Sequence, residues 1–91
     1  MIEIKSEDQF YELIAQNEKV MVDFWGNGCG PCQVQKPLFE ALETESVKAT
    51  CNIQENMVLA QKLGIKSVPT FISYINNGQR DKVVNNVEGL K

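Results

Sequence analysis

Ninety-one residues allow one compact domain, taken as residues 1–91, and 43% hydrophobic with 23% charged side chains describe an ordinary globular core. Twelve acids against nine bases leave a net charge of −3, which argues against a phosphate-binding face and so against nucleic acid as a partner. The chain has no histidine, which removes Cys–His and Ser–His nucleophile pairs, and its three cysteines are one short of a Cys₄ zinc site.

Ile2 and Ile4 alternate with Glu3 and Lys5 as a short first strand would. No apolar leader is present at the start, and no run approaches the ~20 apolar residues of a membrane span, so no membrane partner and a cytoplasmic location are expected. Ser6 with Gln9 has capping-box spacing, and Phe10, Leu13 and Ile14 follow at helical intervals until Asn17. Val20 to Trp25 is an apolar run rich in strand formers, broken by Gly26-Asn27-Gly28. A second helix should open around Cys29-Gly30-Pro31-Cys32 and carry Val34, Leu38 and Leu42 on one face, with Pro37 kinking it. Val47 to Ile53 predicts a third strand. Asn56 then caps a helix bearing Leu59, Ala60 and Leu63, stopped by Gly64. Thr70 to Ile75 is a clear strand, Asn77-Gly78 a hairpin turn, and Gln79 to Val87 the antiparallel return. The order βαβαβαββ predicts an α/β fold with a mixed sheet and helices on both faces.

Two cysteines separated by two residues, after a buried strand and at the start of a helix, point to redox chemistry. Unpaired N–H groups and the helix dipole favour an anion there, so the Cys29 thiolate is stabilised and its pKa falls from ~8.5 toward neutral. Cys32, one turn further in, should be less exposed yet close enough to form a disulfide. Gly30 lets a partner backbone approach, and Pro31 in the first turn costs no helical hydrogen bond. Cys29 would attack a target disulfide and Cys32 would resolve the mixed disulfide. Half of a zinc knuckle, or two incidental core thiols, are the bland alternatives, and zinc would need carboxylate or intermolecular ligands. Cys51 lies on the third strand, away from the pair, and reads as a buried small hydrophobe.

Asp23-Phe24-Trp25 before Cys29-Gly30-Pro31-Cys32, then Pro37, Val68-Pro69-Thr70 and Asn77-Gly78, resemble the landmarks of the thioredoxin family in order, over about residues 6 to 84. The resemblance implies a thioredoxin-like fold and a protein-disulfide reductase active in electron transport and cell redox homeostasis. Its redox-active disulfide would be Cys29–Cys32. It implies that Asp23 is the buried acid that manages the proton of the second cysteine; burial on an apolar strand should raise its pKa. It implies a cis peptide at Val68-Pro69, with Trp25, Gly30, Pro31, Val68 and Pro69 supporting the site and the substrate groove. No cofactor would be bound. The partners would be disulfide-containing proteins and an NADPH-dependent thioredoxin reductase as electron donor.

This chain also departs from the family pattern. Gly28 stands where a second tryptophan is usual, which predicts a more flexible loop and less contact area for partners. Thr50 replaces a lysine beside the buried acid, Gln33 a basic residue after the second cysteine, and Asn86 a glycine facing the motif. The family's closing helix is missing after the last strand, which should uncover one sheet face and invite self-association. Two other functions compete with the leading one: a glutaredoxin-like reductase using glutathione, and a thioredoxin-fold binding or chaperone module whose cysteines are not essential. The first usually has an aromatic residue between its cysteines, where this chain has Gly30-Pro31.

Overall fold

Alternating strands and helices build the chain in the order its patterning predicts. The computed structural model describes residues 1–91. Strand β1 (Ile2–Ile4) leads to helix α1 (Glu7–Gln16), β2 (Val20–Trp25), α2 (Gly30–Ala41) and β3 (Val47–Asn52). Helix α3 (Met57–Lys62), β4 (Thr70–Ile75), β5 (Gln79–Val84) and a 3₁₀ turn over Val87–Leu90 complete it. The five strands form one sheet in the order β1-β3-β2-β4-β5. β1, β3 and β2 are parallel, while β4 runs antiparallel to β2 and β5 antiparallel to β4. No helix is long and apolar enough to cross a membrane.

Local chemistry sets the helix ends. Ser6 Oγ accepts from the Gln9 amide at 3.1 Å, and the Gln9 side chain in turn accepts from the Lys5 amide at 2.6 Å. Asn17 closes α1 by donating to the Leu13 carbonyl at 2.8 Å. Side chains alternate across each strand, so the sheet has two distinct faces. One face gathers Val20, Val22, Phe24, Ala49, Cys51, Ile72 and Tyr74 against Phe10 and Ile14 of α1 and Leu59 of α3. The other holds a smaller cluster, Phe71 with Phe39 of α2 and Val87 and Leu90 of the 3₁₀ turn.

Three expectations change. Val34 and Leu38 do not form the buried side of α2; they are 64% and 52% exposed, while Cys32 and Phe39 face inward. The helix is pinned at its first turn by Cys29 and Cys32, and Phe39, seven residues on, returns to the Cys32 face. Leu38 is rotated about 100° from it. Strand β5 stops at Val84 rather than Val87, because Val87 starts the 3₁₀ turn. No α-helix follows β5 within residues 1–91, yet the face above Phe71 is covered, because Val87 and Leu90 are only 3% and 4% exposed. Asn86 starts that turn by accepting from the Gly89 amide at 2.9 Å, and Gln35 of α2 accepts from the Val87 amide at 2.8 Å.

The C-terminal end of α2 is held by one cation. Lys48 Nζ on β3 donates to the carbonyls of Phe39, Glu40 and Leu42 at 3.1, 2.7 and 2.9 Å, at the negative pole of the helix. Lys48→Met keeps the stem and removes these bonds. Urea denaturation should show a loss of about 1–2 kcal/mol, with an unchanged midpoint counting against the cap.

Candidate active site

The site is built where β2 hands over to α2. Gly26 is buried at that junction because the chain passes close to two neighbours. A Cβ placed there would lie 3.1 Å from Gln54 Oε1 and 3.4 Å from Val68 Cγ2. The loop that follows is braced by neutral amides. The Asn27 amide donates to Gln54 Oε1 at 2.8 Å, and Asn52 Nδ2 donates to Asn27 Oδ1 at 3.1 Å. Asn52 Oδ1 also accepts from the Gln54 amide at 2.9 Å, and Asn56 Nδ2 donates to the Asn52 carbonyl at 2.9 Å. Gly28 sits in the left-handed region at φ +70°, which glycine adopts without strain. The loop expected to be loosened by Gly28 is thus tied to the end of β3 at the residue just before it.

Cys29 is the N-cap of α2, and its Sγ accepts from the Cys32 amide at 3.1 Å. The two cysteines are joined as a disulfide with Cα atoms 5.2 Å apart. Cys29 is partly exposed and Cys32 is 5% exposed. The outer sulfur therefore lies at the positive end of the helix, and the inner one faces the sheet.

Beneath Cys32 lies a cleft of about 590 Å³ whose lining includes Asp23, Trp25, Cys32, Lys36, Thr50 and Glu55. Asp23 is central on the sheet and only 2% exposed, between Thr50 of β3 and Phe71 of β4. Its Oδ1 accepts no hydrogen bond from the protein. Burial pushes its carboxyl up to about 6, while the positive charge of Lys36 pulls the other way. A carboxyl that changes charge near pH 6 is suited to taking or giving a proton under the disulfide.

The sequence-predicted residues do not all line one cavity. Asp23, Trp25 and Cys32 share the cleft. Gly30 and Pro31 are exposed at the start of α2, outside it, where a partner could reach them. Val68 packs beside Gly26, Pro69 is buried, and the Val68–Pro69 peptide is cis, as the resemblance implies. Cys51 is a free, buried thiol in the core on the opposite sheet face, with a pKa pushed up to about 11 by burial and by Glu55. Sequence reasoning did not single out Lys36 or the amides of Asn27, Asn52 and Gln54. Lys36 had a signal, since it follows Cys32 by four residues and so shares its helix face. The amides had none, because they come from separate segments.

The Thioredoxin family model matches residues 1–91. The chain belongs to the thioredoxin family. Thioredoxin of Malassezia sympodialis is 33% identical over 86 residues, covering 89% of this chain and 82% of the relative. Thioredoxin of Mycoplasma pneumoniae is 36% identical over 85 residues, with 90% and 83% covered. The solution structure of oxidised thioredoxin from Plasmodium falciparum superposes with a TM-score of 0.85 at 29% identity, covering 99% of this chain and 90% of that one. This thioredoxin-family chain is a thiol-disulfide oxidoreductase, its fold is thioredoxin-like, and family members act without a bound cofactor.

Proposed function

We propose that this thioredoxin-family chain reduces protein disulfides in the cytoplasm, with Cys29 attacking and Cys32 resolving. The observation that carries the reading is the asymmetry of the pair: a partly exposed sulfur capping α2 and a buried one above Asp23. In the reduced protein the Cys29 thiolate attacks one sulfur of a target disulfide. A Cys29–target bond forms, and the other target sulfur leaves as a thiolate. The Asp23 carboxylate then takes the Cys32 proton, and the Cys32 thiolate attacks Cys29 Sγ. The Cys29–Cys32 bond forms as the Cys29–target bond breaks, so the target gains two electrons and the chain loses two. An NADPH-dependent thioredoxin reductase would return them. Trp25, Gly30, Pro31, Val68 and Pro69 would line the contact with the target chain.

Trapping tests the division of labour. Reduced Cys32→Ser should form a covalent adduct with insulin through Cys29 that dithiothreitol releases. An adduct from Cys29→Ser and none from Cys32→Ser would reverse the assignment. Steady turnover with glutathione alone, and none with NADPH and thioredoxin reductase, would move the chain to the glutathione-dependent reading.

A further inference from the structure

Glu3, Thr50 and Asp23 lie side by side across β1, β3 and β2, because Thr50 is the register partner of both other residues. Helix α2 crosses beside this row, and one turn beyond Cys32 it brings Lys36 into the same cleft. The charged groups around Asp23 come from every wall. Glu3 comes from β1, Glu55 from the turn after β3, and Lys36 from α2, whereas β4 presents the uncharged Phe71. Lys36 is the single cation on the cleft wall, facing two carboxylates besides Asp23. An adjoining depression also sets it near Glu40, Lys48 and Met1. Lys36 nevertheless enters no ion pair: the three salt bridges of the chain are Lys19–Glu45, Lys62–Glu7 and Lys91–Glu88. Its charge is uncommitted, and the deepest anion it faces is the buried carboxylate whose Oδ1 has no protein donor.

We propose that Lys36 is a positioning residue for the exchange reaction, whose ammonium holds Asp23 in the carboxylate form so that it can accept the Cys32 proton. This rests on the proton-acceptor reading of Asp23 above. The inference is specific to this chain's arrangement. The position beside Asp23 on the neighbouring strand is an uncharged Thr50, so the cation arrives from the helix instead. Burial favours the neutral acid and Lys36 favours the anion, and their balance leaves the group at about 6. Without Lys36, burial would act unopposed.

Two readouts test this separately. The first is a carboxyl-carbon NMR titration of Asp23 in the oxidised protein, where no exchange occurs. In Lys36→Met the Asp23 midpoint should move to higher pH by about 0.5–1, and in Lys36→Glu by more. Lys36→Arg, which keeps the charge, should stay near the wild type. Salt distinguishes charge from shape. In the wild type, raising ionic strength screens Lys36, so the Asp23 midpoint should rise toward that of Lys36→Met, which should itself respond less. An unchanged midpoint in Lys36→Met and Lys36→Glu would overturn the proposal, and so would an equal rise in Lys36→Arg. The second readout is the pH profile of insulin reduction, which should move with the Asp23 midpoint while KM stays constant. A shifted midpoint with an unshifted profile would keep the Lys36–Asp23 coupling, overturn its role in exchange, and remove Asp23 as proton acceptor.

Discussion

Asp23→Asn is expected to be more stable than the wild type at pH 7.5, by up to about 3 kcal/mol. The carboxyl has a pKa of about 6 in the fold against a reference value of 3.8. Between those values the folded chain keeps a proton that the unfolded chain has released. Stability therefore falls as pH rises through this window, and above it the full cost of an ionised, 2% exposed carboxylate is present. Asparagine has nearly the same shape and no charge, so it removes that cost at neutral pH and changes little below pH 3.8, where both forms are neutral. Its amide donors need partners in the cleft, which makes 3 kcal/mol an upper figure. Urea denaturation of the oxidised proteins at pH 3.5 and 7.5 measures the difference. A variant less stable than the wild type at pH 7.5 would contradict the buried-anion account. The same variant should reduce insulin more slowly, on the order of 10²-fold at neutral pH, since the proposed general-base help to Cys32 is lost.

Cys29→Ser should bring insulin reduction down to the buffer blank while the fold persists. The proposed attacking sulfur is removed, and Cys32 is too buried to replace it. Serine is a good N-cap and can accept from the Cys32 amide as Cys29 Sγ does, so α2 keeps its first turn. Losing the four-residue disulfide loop costs about 2 kcal/mol of chain-entropy stabilisation, which the core can tolerate. Circular dichroism should therefore match the reduced wild type. Residual turnover well above the blank would mean that Cys32 can attack a target directly.

The chemistry was legible where sequence and local structure coincide. Cys29 and Cys32 could be placed at a helix start because Val20–Trp25 reads as a buried strand and Gly26–Gly28 as a break. Asp23 could be read as desolvated for the same reason. Legibility ended where a property depended on segments far apart in the chain. Val34 and Leu38 have the spacing of a buried stripe, but a helix face is chosen by where the helix is pinned, and the cysteines pin this one. Val87 looked like the end of a strand and Leu90 carried no assignment, and their place over Phe71 and Phe39 depends on a turn that Asn86 starts. The sheet neighbour of Asp23 could be aligned as Thr50, yet that gave no sign that a charge would come from the helix at Lys36 instead.

The bracing of Asn27 by Asn52 and Gln54 has a consequence for experiment. None of these side chains gains or loses a proton between mild acid and mild alkali, and their contacts carry no net charge for salt to screen. The scaffold that presents Cys29 is thus electrically silent. When the rate changes with pH or ionic strength, the change reports the sulfurs, Asp23 and the charges around them rather than these braces.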